Sequence, residues 1–226
     1  MTSFTIGQKT IQVFPSTAPD CPVIYLNTYE PEGEAVRRAL DSLGCPDFTL
    51  VAISGLDWNH DMAPWEIPPI SKNDTPCTSG ADGYLQQLLD QILPQAERQI
   101  LGTPPWRGIA GYSLGGLFAV YALSRTEVFS RAASMSGSLW FPGIREYLFS
   151  HPLKAKPRRL YFSLGSKEAK TRNPYLKTVQ QNTQEIYRYY LSQGIDTVFE
   201  LNPGNHFVHA PERIAAGIRW ILEDGK

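Results

Sequence analysis

The sequence predicts an α/β fold in which helices cover both faces of a mainly parallel sheet. Two observations carry this. Short apolar runs alternate with segments of helical spacing along most of the chain, the order that parallel strands and crossover helices require. One of those runs, Trp106 to Ala110, leads through the glycine-rich turn Gly111 to Gly116 into a helix. Length and composition agree: 226 residues, 42% apolar and 12% aromatic, suit one domain spanning 1–226 with a full hydrophobic core.

Two short strands open the chain, around Phe4 to Ile6 and Ile11 to Phe14. Pro22 to Leu26 (PVIYL) is a buried strand, Glu34 to Leu43 a short helix and Thr49 to Ile53 the next strand. Gly55 to Ala81 is rich in Pro, Asn, Asp and Trp and too long for a simple connector; loops of that kind carry function. In Asp82 to Arg98, Leu85, Leu88, Leu89, Ile92 and Leu93 recur at helical spacing. Asp82 reads as the N-cap of this helix, and Pro94 kinks or ends its regular part. After the helix Leu114 to Ser124 come a strand near Arg131 to Met135, a helical stretch around Pro142 to Ser150 and a strand at Arg158 to Leu164. A long helix at Asn173 to Gln193, a last strand at Thr197 to Leu201 and a closing helix at Pro211 to Glu223 complete the chain, with Ile214, Ile218 and Trp220 at core spacing. No internal repeat or interdomain linker interrupts this order.

Composition removes several function classes. The formal net charge is −1 with Lys and Arg scattered, so there is no basic stripe and nucleic acid is not an expected partner. The cluster Lys154, Lys156, Arg158 and Arg159 reads as a solvated loop. Cys21, Cys45 and Cys77 are odd in number and lack Cys-x-x-Cys spacing, which argues against a disulfide framework and a structural zinc site. They read as free thiols, and this points to the cytoplasm. The first residues (MTSFTIGQKTIQVF) alternate polar and apolar without a basic region, a strand pattern rather than a signal peptide. No run approaches the roughly 20 apolar residues that span a bilayer, so a membrane is not expected either. Oligomeric state leaves no mark in the sequence.

Gly111-Tyr112-Ser113-Leu114-Gly115-Gly116 has the Gly-x-Ser-x-Gly form of a nucleophile elbow. The letters alone are a weak signal, and the strand–turn–helix setting carries the reading. Such a turn strains the Ser, lifts its hydroxyl above the sheet edge and leaves no room for neighbouring side chains. The bland alternative is a glycine-rich helix entry packed against a strand. On an elbow sheet an acid and then a histidine follow the nucleophile, each on a loop at the carboxyl edge. His206, in Asn202-Pro203-Gly204-Asn205-His206-Phe207, falls between the last strand and the last helix, where the base is required. His209 is its rival but sits nearer the helix start. Among Glu127, Glu146, Glu168, Glu185, Asp196 and Glu200, Glu168 alone falls just after a strand, in Leu164-Gly165-Ser166-Lys167-Glu168. Asp196 is the second candidate acid, and a Ser–His dyad without an acid is the third arrangement. Beside Lys167 and Lys170, Glu168 also fits a solvated surface residue. The oxyanion hole needs two backbone N–H groups. Leu114, directly after the nucleophile, supplies one; the loop after Val23 to Leu26 supplies the other, from Thr28 or Tyr29.

These residues resemble a known family. Gly111 to Ala119 (GYSLGGLFA), Ser136-Gly137-Ser138-Leu139-Trp140 and the late His206 loop are together similar to the Putative esterase family of α/β-hydrolases, which includes esterase D and the siderophore (enterochelin) esterases. Asp61-Met62-Ala63-Pro64-Trp65 resembles its Asp-x-x-Pro-Trp stretch, and the likeness runs from about Pro22 to Leu222. The resemblance implies the α/β-hydrolase fold of the compact branch without a large lid domain. It implies Ser113 as nucleophile, His206 as base and Glu168 as acid, with Trp140 and Ser138 bordering the acyl pocket. Two positions depart from the family pattern: Asn27-Thr28 replaces a common Asp-Gly, and Asn59-His60 stands where siderophore esterases commonly carry an arginine. Without that cation the pattern points less to an anionic catecholate.

Asp57, His60 and Asp61 lack the spacing of a zinc hydrolase helix, so no metal and no cofactor are expected. Trp58, His60 and Trp65 read instead as a wall of the substrate pocket. The expected activity is a serine esterase acting on a small-molecule carboxylic ester through an acyl-enzyme. The alternatives are an acyltransferase or thioesterase on the same residues, and a non-catalytic binding protein of this fold.

Overall fold

A computed structural model describes residues 1–223. Its elements in chain order are β1 (Thr2–Ile6), β2 (Lys9–Phe14), β3 (Val23–Asn27), α1 (Gly33–Ser42), β4 (Thr49–Ser54) and a short α2 (Trp58–Asp61). A small hairpin of β5 (Glu66–Ile67) and β6 (Cys77–Thr78) follows, then α3 (Ala81–Gln87), a π-helical turn (Leu88–Ile92) and α4 (Leu93–Glu97). The second half holds β7 (Arg107–Tyr112), α5 (Leu114–Leu123), β8 (Arg131–Met135), α6 (Ile144–Ser150) and β9 (Arg159–Gly165). A 3-10 turn (Leu176–Thr178), α7 (Val179–Ser192), β10 (Asp196–Asn202) and α8 (Ala210–Leu222) complete it.

Eight strands form one sheet in the order β1-β2-β4-β3-β7-β8-β9-β10. β1 and β2 are antiparallel to their neighbours, and from β4 to β10 every pairing is parallel. Parallel strands need a covering layer on each face, and the period-two alternation of their side chains sorts the core into two such layers. Ile24, Leu26, Ala110, Ala133 and Tyr161 face a layer built with Val36 and Leu40 of α1 and Ile214, Ile218 and Ile221 of α8. Their neighbours Val23, Tyr25, Ile109, Ala132, Leu160 and Phe162 point the other way, toward α3, α5, α6 and α7. All of α5 is buried, which fits its sequence LGGLFAVYAL: a helix with no polar face has to be enclosed.

The parallel strands place the loops after β3, β7, β8, β9 and β10 along one edge of the sheet, where α/β folds gather their sites. The α/β expectation is therefore met, element by element, with three local differences. Asp82 does not cap α3; it lies in the first turn behind Gly80, where its carboxylate accepts hydrogen bonds from Tyr121 and Arg125. Pro94 breaks the regular helix as expected, but upstream of its own position. It has no N–H for the Asp90 carbonyl, and the turn Leu88–Ile92 just before it widens to π spacing. The long helix starts at Val179 rather than Asn173, because the Asn173 side chain accepts the Tyr175 and Leu176 N–H groups and holds a tighter turn there. Among the described residues no helix is long and apolar enough to cross a membrane.

Candidate active site

Ser113 occupies the turn between β7 and α5 with φ 58° and ψ −125°, a backbone conformation that L-residues rarely adopt. The turn is held from all sides. Its N–H donates to the Met135 carbonyl at 3.1 Å, while its own carbonyl accepts from Gly116, Leu117 and Ser138 at 3.0, 3.1 and 2.9 Å. Gly111 is required by close approach, since a Cβ there would lie 2.3 Å from the Gly115 backbone. The Ser113 hydroxyl is 3.3 Å from Ser138 Oγ, and among the described residues no hydrogen bond joins it to His206. Such bonds often tighten only when substrate is bound.

His206 sits on the loop after β10, with Nδ1 2.8 Å from Glu168 Oε2. That contact leaves Nε2 as the ring nitrogen for the cavity. The ring packs against Tyr112 and Phe207, both with centroids 5.2 Å away, and the Tyr112 hydroxyl donates to the His206 carbonyl at 2.8 Å. Glu168, on the turn after β9, has a side chain only 5% exposed. Its Oε1 accepts from the Gly165 N–H at 2.6 Å and the Ser136 hydroxyl at 2.8 Å, with Arg213 Nη1 at 3.5 Å. Burial by itself would push the Glu168 carboxyl up. The hydrogen bond and attraction of His206, with the Gly165 and Ser136 bonds, outweigh it and hold the group below the usual carboxylate range.

Ser113, His206 and Glu168 border one cavity of about 530 Å³, with Trp58, Ser138 and Trp140 also in its wall. Leu114 is the first residue of α5 and lines the cavity, so its N–H has no partner inside the helix. Thr28 is a correction. Its N–H donates to the Ile53 carbonyl at 2.9 Å, and its hydroxyl donates to the same oxygen at 3.0 Å, so it has no free N–H to offer an oxyanion. Tyr29, the other donor expected on this loop, has no hydrogen bond from its N–H among the described residues.

The profile of the Putative esterase family matches residues 10–210, which include the elbow, the Glu168 turn and the His206 loop. The chain belongs to this family. It is a carboxylic ester hydrolase by that membership. This esterase is 24% identical over 195 residues to YbbA of Bacillus subtilis (strain 168), covering 82% of the present chain and 78% of YbbA. Its fold is similar to that of the siderophore hydrolase EstA from Aspergillus nidulans, with TM-score 0.73, 19% identity and coverage of 98% and 93% of the two chains. It is also similar to an IroE-like serine hydrolase from Shewanella oneidensis, with TM-score 0.75, 21% identity and coverage of 94% and 75%.

Within the esterase, the loop 55–81 divides the residues expected in the pocket wall. Trp58 reaches the cavity and packs edge-on against Tyr29 at 5.5 Å. His60 and Trp65 are not in its wall. His60 turns its Nδ1 to Thr78 Oγ1 at 2.8 Å, bracing α2 against β6. Trp65 donates from Nε1 to the Pro142 carbonyl at 2.9 Å and packs on Phe141 and Tyr147. Asp196 starts β10 at the amino edge of the sheet, ion-paired with Arg159 at 2.8 Å, and is no rival to Glu168. His209 is 73% exposed at the head of α8, where its nearest acid is Glu212 at 4.0 Å.

The sequence reading missed Arg213 and gave no role to Ser136, the first residue of the family-like stretch Ser136 to Trp140. Arg213, in the first turn of α8, is 5% exposed; its Nη1 donates to the Tyr112 hydroxyl at 3.1 Å and the Asn205 carbonyl at 3.0 Å, and its Nη2 to the Pro203 carbonyl at 2.7 Å. Its signal was present: Arg213 shares a helix face with Gly217 and Ile221, a charge on the apolar stripe. Ser136 has φ 45° and gives its hydroxyl to Glu168.

Proposed function

We propose that this chain is a serine esterase in which Ser113 is the nucleophile, His206 the general base and Glu168 the residue that orients and charges the imidazole. The observation that carries the reading is the 2.8 Å contact between His206 Nδ1 and Glu168, beside a serine in an elbow conformation on the same cavity. His206 takes the Ser113 proton as Oγ bonds to the ester carbonyl carbon. The oxyanion meets the N–H groups of Leu114 and Tyr29. The bond to the alcohol oxygen then breaks, and His206 returns the proton to the departing alcohol. Water adds to the acyl-enzyme by the same route in reverse roles, releasing the carboxylic acid and restoring Ser113.

The test is labelling by a fluorophosphonate together with turnover of para-nitrophenyl acetate. Wild-type protein is expected to do both, and Ser113→Ala neither. Labelling that persists in Ser113→Ala removes the nucleophile assignment. His206→Ala should lose turnover while His209→Ala keeps most of it. Siderophore lactones belong beside simple esters in the substrate panel because EstA, similar in fold, is named a siderophore hydrolase.

A further inference from the structure

We propose that the ester taken by this site carries a carboxylate on its alcohol half, held by Lys167 and Lys170. The inference rests on the serine-esterase reading and adds a substrate class to it. The proton route fixes which half is which: His206 gives its proton to the departing oxygen, so the alcohol half must lie along the wall that carries His206. That wall is made by two loops bonded to each other. The Ser166 N–H donates to the Asn202 carbonyl at 2.8 Å and the Lys167 N–H to the Gly204 carbonyl at 2.9 Å, which fixes the turn 165–170 to the His206 loop. Lys167 and Lys170 are both exposed and both border the cavity. Arg172 and Lys177 follow within the next segment and are exposed too. Among the described residues none of these four cations forms an ion pair, although the whole chain has a net charge of −1.

Two acids face the same cavity, and neither cancels them. Glu168 is buried and matched by His206 and Arg213. Asp74, on the loop 68–76, accepts a hydrogen bond from Ser71 at 2.7 Å and keeps its charge, but among the described residues it pairs with neither lysine, so two cations stand against one unmatched acid. An uncompensated positive wall at a cavity mouth raises the local concentration of an anionic ligand and orients it. Phe207, next to the base and 87% exposed, offers the apolar surface on which the carbon skeleton of the alcohol can rest. The acyl half is then left to Trp58, Trp140 and Ser138; among the described residues that line the cavity, Lys167 and Lys170 are the only lysines or arginines.

The experiment compares para-acetoxybenzoate with para-acetoxybenzamide, which place a carboxylate or a neutral amide on the same leaving phenol. For the wild type, kcat/KM is expected to favour the carboxylate ester by about tenfold relative to their uncatalysed rates, and this preference should shrink as salt is raised. Lys167→Gln/Lys170→Gln should bring the ratio close to that of the uncatalysed reactions. A wild-type ratio that is flat with salt, or equal ratios in wild type and double variant, overturns the proposal. Turnover of para-nitrophenyl acetate by the wild type separates the two failures. If it is present without an anionic preference, only the substrate class falls; if it is absent, the esterase reading falls as well.

Discussion

Glu168 keeps its charge in a nearly dry position because four groups converge on it: the His206 ring, the Gly165 N–H, the Ser136 hydroxyl and the Arg213 guanidinium. Its folded-state ionisation lies below that of an unfolded carboxyl near about 4.3, so it stabilises the fold fully above that pH and loses the contribution as pH falls through the lower folded value. Chemical unfolding of wild type and Glu168→Gln should therefore show a stability difference that shrinks as the buffer is taken below about pH 4. A difference independent of pH down to the acid transition would contradict the assignment. Activity of Glu168→Gln at neutral pH should drop more than tenfold if the carboxylate orients His206. Arg213 is the second residue at this scale. Arg213→Met removes donors from the Pro203 and Asn205 carbonyls and leaves the Glu168 charge less compensated, a loss of about 3–5 kcal/mol by urea titration. Because those carbonyls belong to the loop carrying His206, kcat should fall with it even well below the unfolding transition.

At the scale of elements, what could be read in advance was what depends on neighbours in sequence. Strand, turn and helix around Ser113 are consecutive, and the order Ser113, Glu168, His206 follows from parallel strands presenting their loops along one edge. Contacts between distant segments were not legible. Asp82 looks like a helix cap from its position before Leu85, yet it clips α3 to Tyr121 in the last turn of α5 and to Arg125 just beyond it. His60 and Trp65 look like pocket residues because their loop is long and aromatic. The hairpin β5–β6 instead gives that loop its own packing, which draws both side chains away from Ser113. Thr28 fails as an oxyanion donor for the same kind of reason: the register of β3 against β4 puts the Ile53 carbonyl within its reach. The Asp82 assignment can be checked by a double-mutant cycle. Asp82→Ala and Arg125→Ala should couple by roughly 0.5 kcal/mol, the modest value of a half-exposed pair, whereas a cap would give additive losses.

For the whole molecule, α8 is the element through which stability and chemistry are joined. Its inner face packs on the α1 layer and on β7, β8 and β9 through Ile214, Ile218, Ile221 and Leu222. Its last turn offers the Ile221 carbonyl to Arg131 at 2.5 Å and the Trp220 carbonyl to Arg159 at 2.6 Å. Its first turn delivers Arg213 to Glu168 and to the loop that carries His206. Two substitutions on this helix should separate filling from position. Ile218→Ala empties a fully buried site and should reduce stability by roughly 2–5 kcal/mol, with little change in kcat for the protein that remains folded, since the helix axis need not move. Gly217→Ala does the opposite. A Cβ at Gly217 would lie 2.6 Å from Met135 Sδ and 2.9 Å from the buried Tyr161 ring, so either these side chains give way or the helix lifts from the sheet, and the enclosed Tyr161 ring favours the lift. The stability loss should be smaller, about 1–3 kcal/mol. Lifting the helix also displaces Arg213, which lies one turn from Gly217, so the fluorophosphonate labelling rate of Ser113 should fall several-fold under conditions where far-UV dichroism shows the protein folded. Equal labelling by wild type and Gly217→Ala would mean that Met135 and Tyr161 yield locally, and that the seating of α8 does not set the geometry of the His206 loop.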